Sequence, residues 1–251
     1  MHQARGIVHR KPSSLPASFK VIGHRGAAGL RPENTLPAFA LAIELGCTML
    51  ELDVHRTKTQ AGEAELCVIH DHSVSRTTNK TGALSRFTLE ELQALDCGES
   101  AGVPSLQEVM GLLDGLTAAP PILNIELKGP HTAALVAEQI RYPRSWNALV
   151  SSFHHDELHL FRTLDPHTPV APLFSRWTKR VVEIAQGVRA QAVNLSTSAA
   201  KLERIQLLHQ QGFEVYVYTV NDVETAERLK RWGVSGVFTD RPDRLMPLQQ
   251  T

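Results

Sequence analysis

The feature of this sequence that most limits how it can fold is a regular alternation of short apolar runs with longer helical patterns. Apolar runs that are separated by helices imply βαβ units and therefore a parallel sheet. Eight repeats of that unit predict an α/β protein, a closed (β/α)8 TIM barrel. The predicted strands cover residues 21–23, 49–54, 122–127, 148–153, 170–174, 192–195, 214–220 and 236–239.

The segments between these runs support the same fold. Helical patterns cover residues 36–46, 199–212 and 223–233, and each ends at a glycine, as helix C-termini often do. A further helical pattern covers 132–140. An open, doubly wound sheet is the alternative architecture. Its usual dinucleotide-binding signature, G-x-G-x-x-G after the first strand, is absent.

We divide the chain into an N-terminal lead-in, residues 1–19, and a barrel, residues 20–251. The connection between the second and third strands is far longer than an ordinary loop, which predicts a small insertion subdomain over about residues 56–102. Inside it, Thr88 and Glu91 have the spacing of a capping box. The insertion has a strand pattern, 65–70, and a helical pattern, 88–95, and a helix over 103–113 returns the chain to the barrel.

Composition excludes several classes of partner. Lys plus Arg and Asp plus Glu both number 26, so no broad basic surface for nucleic acid is predicted. The three cysteines are widely spaced, which fits a reducing compartment. No apolar run is long enough for a membrane span, and the N-terminal segment lacks the apolar region of a secretory signal. These features predict a cytoplasmic protein without stable membrane insertion.

Three carboxylates are predicted to meet inside the barrel. Side chains two residues apart on a strand face the same side, so Glu51 and Asp53 point together, and Glu126 lies at a matching position on the next strand. Buried carboxylates must be paired, protonated or bound to a cation. Three oxygen donors suit Mg²⁺ or Ca²⁺. The alternative is a structural ion-pair network with Arg25 and Lys128.

Two histidines are predicted to lie at the same end of the barrel. His24 follows the first strand, and His70 ends the strand pattern of the insertion. Catalytic groups of parallel barrels gather at the C-terminal ends of the strands. Two imidazoles can remove a proton and return one, and the guanidinium of Arg25 suits phosphate oxygens. Together with a cation, these groups indicate chemistry on a phosphoryl ester.

At this point five motifs, in this order, resemble the glycerophosphodiester phosphodiesterases, members of the PLC-like phosphodiesterase superfamily. They are GHRG (23–26), RPENT (31–35), ELDVH (51–55), IHDHSVSRTTNKTG (69–82) and NIELKG (124–129). The resemblance covers about residues 20–246 and includes SSF, YTVND and GVFTDRP nearer the C-terminus. Tyr218 departs from the pattern, because many relatives carry Trp in a WTVN segment, and this puts the alcohol pocket in question.

The resemblance implies roles for individual residues. Glu51, Asp53 and Glu126 match the metal ligands of the family, and His24 and His70 match its catalytic pair. The implied cofactor is a divalent cation, Mg²⁺ or Ca²⁺. The implied partner is a small glycerophosphodiester. The sequence does not indicate the oligomeric state.

Further residues match positions around the substrate. Arg25 and Lys128 match positions beside the phosphate. Glu33 and Asn34 allow two interpretations. In the first they position His24 or the cation, and in the second this segment fixes the loop before the first helix. For Phe153 the interpretations are lining the path of the substrate and packing in the core.

The predicted reaction is metal-dependent hydrolysis of a glycerophosphodiester to glycerol 3-phosphate and an alcohol, with the two histidines as acid and base. The nucleophile is either the glycerol 2-hydroxyl, which gives a cyclic phosphate, or water. Which histidine is the acid stays open. The alternative functions are a phospholipase D-like or phosphoinositide-type activity on lipids, and a phosphate-binding module without catalysis.

Overall fold

A computed structural model describes residues 19–249 as a closed barrel of eight parallel strands surrounded by helices. The (β/α)8 prediction is therefore confirmed. The strands are β1 (Lys20–Gly23), β2 (Met49–Lys58), β3 (Ala64–Val68), β4 (Ile122–Leu127), β5 (Ala148–Ser152), β6 (Val170–Phe174), β7 (Ala192–Ser196), β8 (Glu214–Tyr218) and β9 (Gly236–Thr239). The predicted lead-in lies outside the described residues except for Phe19, which is buried.

Eight of the nine strands form the barrel in the order β1-β9-β8-β7-β6-β5-β4-β2, and pairing between β1 and β2 closes it. All of these pairs are parallel. The additional strand, β3, runs antiparallel to the end of β2 that extends beyond the barrel. Closure brings the first strand, β1, beside the last, β9, so residues distant in sequence meet at the rim.

Helices cover the outer surface of the barrel. They are α1 (Leu36–Glu44), α3 (Leu106–Asp114), α4 (Thr132–Gln139), α5 (His155–Leu164), α6 (Val181–Gly187), α7 (Leu202–Gln210), α8 (Val223–Arg231) and α9 (Pro242–Gln249), whereas α2 (Leu89–Gln93) lies in the segment between β2 and α3. The predicted glycines follow α1, α7 and α8 with positive φ angles of 93°, 85° and 87° at Gly46, Gly212 and Gly233. Among the described residues, no helix has the length and apolarity needed to cross a membrane.

Several strand ends differ from the sequence prediction: β1 and β7 are each one residue longer than predicted, and β3 covers 64–68 and not 65–70. β2 continues to Lys58, because its last five residues pair with β3. β5 stops one residue before Phe153, where the Ser152 hydroxyl accepts a hydrogen bond from the backbone N–H of His154 and turns the chain. β8 ends at Tyr218 and not at Val220.

The segment between β2 and α3 has a small apolar cluster of its own. Its helix α2 begins with the predicted capping box, in which Thr88 Oγ1 accepts from Glu91 N and Glu91 Oε2 accepts from Thr88 N. A short 3-10 helix, Leu84–Arg86, precedes it. The cluster comprises Cys67, Ile69, Val74, Leu84, Leu89, Leu92, Leu95 and Val103.

The barrel strands separate two apolar regions, as the alternation of their residues predicts. Outward-facing residues of β2 such as Leu50 and Leu52 are fully buried against the helices. Inside the barrel a second cluster includes Met49, which lies two residues before Glu51 on the same face of β2. It therefore closes the barrel beneath the carboxylates. Its buried members are Ile22, Met49, Leu149, Ala171, Ala192, Tyr216 and Phe238.

Candidate active site

The three predicted carboxylates meet at one point inside the barrel. Glu51 and Asp53 lie on β2, and Asp53 is the direct register partner of Glu126 on β4. One oxygen from each carboxylate lies within 4.8 Å of the others, and all three side chains are buried. The strand register therefore produces the convergence that the sequence predicts.

Two cations lie against this cluster. The backbone N–H of Arg25 donates to Glu51 Oε2 at 2.9 Å, and its guanidinium Nε lies 3.3 Å from Asp53 Oδ2. Lys128 Nζ donates to Glu126 Oε1 at 2.9 Å and lies 3.5 Å from Asp53 Oδ1. The two permanent positive charges of Arg25 and Lys128 cannot balance three ionised carboxylates. The ion-pair network alone therefore leaves one negative charge uncompensated.

The pKa shifts of the three carboxylates differ, because the positive side chains compensate Asp53 more than Glu51 and Glu126. Burial, followed by the charges of Asp53 and Glu126, raises the pKa of Glu51 well above its ordinary value. Burial and Asp53 likewise raise the pKa of Glu126 to about 7. Burial acts in the same direction on Asp53, but Arg25 and Lys128 outweigh it and lower that pKa.

The residues present fit a divalent cation. Glu51 Oε1 is buried and has no hydrogen-bond partner among the described residues. An unsatisfied buried oxygen is costly, and a cation would satisfy it. Hard oxygen donors without a thiolate are the ligand set of Mg²⁺ and Ca²⁺.

The loop before α1 holds part of the cluster in place. Asn34, with a positive φ of 58°, donates from Nδ2 to Asp53 Oδ2 at 2.9 Å. The helix itself is capped by Thr35, whose Oγ1 accepts from Ala38 N. Asn34 thus fixes a carboxylate while the neighbouring Thr35 caps the helix. Glu33 does not line the cavity but accepts from Arg25 NH1 at 2.8 Å.

His24 is held by a carboxylate from the opposite end of the sequence. Its Nδ1 lies 2.6 Å from Asp240 Oδ1, and its Nε2 lies 3.9 Å from Glu51 Oε2. Asp240 Oδ2 also accepts from Asn221 Nδ2 at 2.8 Å. Burial opposes ionisation of Asp240, but the hydrogen bonds from His24 and Asn221 outweigh it and lower its pKa.

Asp240 and Asn221 are absent from the site predicted from sequence. The signal that identifies them is barrel closure: β9 pairs with β1, so the residue after β9 lies beside the residue after β1. Asp240 directly follows β9, and His24 directly follows β1. A carboxylate next to a histidine is then the expected partner for the imidazole.

His70 has a similar partner close in sequence. Its Nδ1 lies 2.6 Å from Asp71 Oδ1, and Asp71 Oδ2 accepts from Arg76 Nε at 2.7 Å. The backbone carbonyl of His70 accepts from His55 Nε2 at 3.0 Å. Burial lowers the pKa of His70 and lowers that of His55 to about 4, so His55 acts as a neutral donor that fixes the backbone.

These groups surround a cavity of about 170 Å³ at the C-terminal ends of the strands. One wall is aromatic: the rings of Phe153 and Tyr218 make an edge-to-face contact with centroids 5.8 Å apart. Phe153 is 39% exposed and so lies on the cavity and not in the core. The Tyr218 hydroxyl is buried without a partner among the described residues. The cavity is lined by His24, Arg25, Glu51, His70, Asn124, Glu126, Lys128, Phe153, Leu173, Tyr218, Thr219 and Phe238.

Comparisons with known proteins agree with this geometry. A glycerophosphodiester phosphodiesterase of Bacillus altitudinis is 33% identical over 246 residues, which cover 92% of this chain and 98% of that protein. A protein of the same name from Caldanaerobacter subterraneus subsp. tengcongensis is 32% identical, covering 91% and 96%.

Similarity extends to solved structures and to the family as a whole. A phosphodiesterase of Oleispira antarctica, solved in complex with the product sn-glycerol-3-phosphate, has a TM-score of 0.82 and 26% identity, covering 93% of this chain and 98% of that chain. The family model described as the glycerophosphoryl diester phosphodiesterase family matches residues 24–244. The chain therefore belongs to the glycerophosphoryl diester phosphodiesterase family.

Proposed function

We propose that this protein hydrolyses glycerophosphodiesters to glycerol 3-phosphate and an alcohol, with a divalent cation and two histidines at its active site. Family membership and the relatives named glycerophosphodiester phosphodiesterase support this class of reaction. The glycerol 3-phosphate bound to the Oleispira antarctica enzyme supports it as the phosphate product. The observation that carries the proposal is one cavity that is lined both by buried carboxylates, one of them with an unsatisfied oxygen, and by two imidazoles that are each held by another carboxylate.

Glu51, Asp53 and Glu126 would hold the cation, either Mg²⁺ or Ca²⁺. A bound cation supplies positive charge that stabilises the negative charge developing on the phosphoryl oxygens. Arg25 and Lys128 line the same cavity and orient the phosphate from its other sides. Arg25 NH1 donates to Glu33 Oε1, and NH2 makes no hydrogen bond among the described residues, so NH2 is available to donate to a phosphate oxygen.

The two histidines transfer the protons. In each, Nδ1 donates to a carboxylate, Asp240 for His24 and Asp71 for His70, which leaves Nε2 for the substrate. One Nε2 removes the proton of the attacking hydroxyl as a new P–O bond forms. The other gives a proton to the departing alkoxide as the bond between phosphorus and that oxygen breaks. This geometry is compatible with either order of the two histidines.

Replacement of either histidine tests the proposal. We expect His24→Ala and His70→Ala each to lower turnover of glycerophosphocholine by about 10²- to 10⁴-fold, because each removes a general acid or base. His167→Ala is a matched control, since His167 is exposed in the loop before β6, at the opposite end of the barrel. Wild-type turnover in either active-site variant would contradict the assignment of that histidine.

The nucleophile can be identified from the products. Attack by the glycerol 2-hydroxyl gives a transient cyclic phosphate, which ³¹P NMR resolves from glycerol 3-phosphate. Attack by water gives glycerol 3-phosphate directly.

A panel of substrates separates the alternative functions. Turnover of water-soluble glycerophosphodiesters is expected to exceed that of lysophospholipid micelles. The reverse order would support a phospholipase D-like activity. Binding of glycerol 3-phosphate without hydrolysis of any of these esters would support a binding module.

A further inference from the structure

Arg76 forms a double ion pair that the proposed reaction does not use. Its guanidinium donates from Nε to Asp71 Oδ2 at 2.7 Å and from NH2 to Asp71 Oδ1 at 3.2 Å. It also donates from NH1 to Glu33 Oε2 at 2.7 Å and from NH2 to Glu33 Oε1 at 2.8 Å. One planar guanidinium thus donates hydrogen bonds to two carboxylates, and both oxygens of each carboxylate accept.

Each of these carboxylates also holds an active-site residue. Asp71 Oδ1 lies 2.6 Å from Nδ1 of His70. Glu33 Oε1 accepts from NH1 of Arg25 at 2.8 Å. Arg76 therefore lies at the centre of a continuous chain of charged contacts that begins at one imidazole and ends at the phosphate-facing guanidinium.

The chain of contacts joins two separate parts of the fold. Arg76 belongs to a turn between β3 and the 3-10 helix, held by backbone hydrogen bonds from Val74 N to Gly82 O and from Thr78 N to Val74 O. Glu33 belongs to the loop between β1 and α1. The ion pairs of Arg76 therefore fix the position of the His70 segment relative to the barrel rim.

Stabilisation of the fold does not by itself account for these contacts. The Arg76 side chain is 48% exposed, and an ordinary exposed ion pair contributes only about 0–1 kcal/mol to folding, although bidentate pairs within a network contribute more. They do have the geometry that orientation needs, because a guanidinium fork matches a carboxylate with both oxygens and an ammonium does not.

We infer that Arg76 is a positioning residue of the active site: it sets the orientation of the His70 imidazole through Asp71 and that of the Arg25 guanidinium through Glu33. The inference rests on the proposed function, since it gives Arg76 a part in aligning the groups that act on the phosphodiester. Arg76 itself does not line the cavity.

Substitution of Arg76 tests this role. We expect Arg76→Ala to lower kcat for glycerophosphocholine by about 10- to 100-fold, the effect of misaligned catalytic groups. The thermal midpoint should stay within about 4 °C of the wild type. Arg76→Lys keeps the charge but cannot pair with both oxygens of each carboxylate, so its kcat should lie between those of Arg76→Ala and the wild type. Arg86→Ala is a matched control from the same segment, because the Arg86 side chain has no ion pair within residues 19–249, and it should leave kcat unchanged.

Rescue with guanidinium ions separates orientation from folding. Guanidinium chloride, at concentrations that do not alter the wild type, should restore part of the activity of Arg76→Ala and none of that of His70→Ala. Two outcomes would overturn this inference and leave the proposed function intact. One is a kcat of Arg76→Ala within threefold of the wild type. The other is a loss of activity that matches the loss of folded protein, with no rescue by guanidinium in either Arg76 variant. A wild type that hydrolyses no glycerophosphodiester would overturn the proposed function and this inference with it.

Discussion

The carboxylates that contact Nδ1 of His24 and of His70 have different neighbours. Asp240, beside His24, accepts its other hydrogen bond from the neutral amide of Asn221. Asp71, beside the second imidazole, lies against the guanidinium of Arg76. The charge of Asp240 is therefore the less compensated of the two, and removing it should disturb its histidine directly.

We expect Asp240→Asn to lower kcat by up to about 100-fold, because the amide no longer fixes the orientation of the His24 ring as a carboxylate does. Steady-state hydrolysis of glycerophosphocholine is the measurement. Asp243→Asn is the matched control, since Asp243 pairs with Arg241 at the surface. Equal kcat values for Asp240→Asn and the wild type would show that the carboxylate is dispensable.

The hydroxyl of Tyr218 gives a second prediction for a single residue. It is buried without a hydrogen-bond partner in residues 19–249 and lies on the cavity wall beside Phe153. If the Tyr218 hydroxyl donates a hydrogen bond to a substrate oxygen, Tyr218→Phe should lower kcat/KM about 3- to 10-fold, which corresponds to the loss of one hydrogen bond. Stability should be unchanged or increased, because an unsatisfied polar atom is removed. An unchanged kcat/KM across several alcohol groups would exclude this contact.

Residues with a periodic position were predictable from local sequence patterns, whereas those brought together by closure require the pairing of the first strand with the last. Glu51, Asp53 and Glu126 share a face by the two-residue period of a strand, so their convergence followed from register. Asp240 depends on the pairing of β1 with β9, which no local pattern reveals. Arg76 depends on the path of an irregular turn, which propensities do not determine.

At the scale of elements, strand cores were predictable and strand ends were not. The apolar runs identified every barrel strand, but the extension of β2 to Lys58 required knowledge of its antiparallel partner β3. Similarly, β5 ends at Ser152 because the serine hydroxyl turns the chain. Ends are set by tertiary hydrogen bonds, whereas strand cores are set by the apolar pattern itself.

Helix α7 gives a prediction about pH. Burial lowers the pKa of His209 in its last turn, although nearby Glu214 acts in the opposite direction, and Nε2 of His209 has no partner among the described residues. In the unfolded chain, His209 therefore binds a proton near its ordinary pKa of 6.5, whereas in the folded protein it binds that proton only at a lower pH. The free energy of unfolding therefore falls as the pH decreases below about 6.5, until the folded pKa is reached.

We expect His209→Gln to remove this dependence. Between pH 7.5 and pH 5.5, the variant should gain up to about 1 kcal/mol in stability relative to the wild type, an amount limited by partial solvent screening of a half-buried group. Urea unfolding at the two pH values measures the difference. A constant difference between variant and wild type would show that His209 has the same pKa in both states.

At the scale of the whole molecule, the barrel was predictable because its strand and helix repeats are regular and, apart from the insertion after β2, its connections are short. The same closed sheet brings the three carboxylates together at the cost of placing negative charge in a buried position. Burial and the neighbouring carboxylates therefore raise the pKa of Glu51 although Arg25 acts in the opposite direction, so its ionised form is costly without a cation.

A bound cation should remove that cost. We expect Mg²⁺ or Ca²⁺ at about 100 times its Kd to stabilise EDTA-treated protein by about 2.7 kcal/mol, a rise of roughly 5–10 °C in Tm. Thermal unfolding followed by circular dichroism measures this rise. Glu126→Gln is the comparison and should show a smaller rise. Equal Tm values for the EDTA-treated wild type with and without either cation would contradict the metal site, as would full activity in EDTA.

The contact between His24 and Asp240 spans 216 residues of sequence. At a translation rate of about 5–20 residues per second, a ribosome needs roughly 10 to 40 seconds to make Asp240 after His24. Through that interval β1 lacks its neighbour β9, and the imidazole lacks its carboxylate. If this pair acts as proposed, the nascent chain stays catalytically incomplete until β9 and Asp240 have been synthesised, and we expect a product truncated before β9 to be inactive however well its earlier strands have formed.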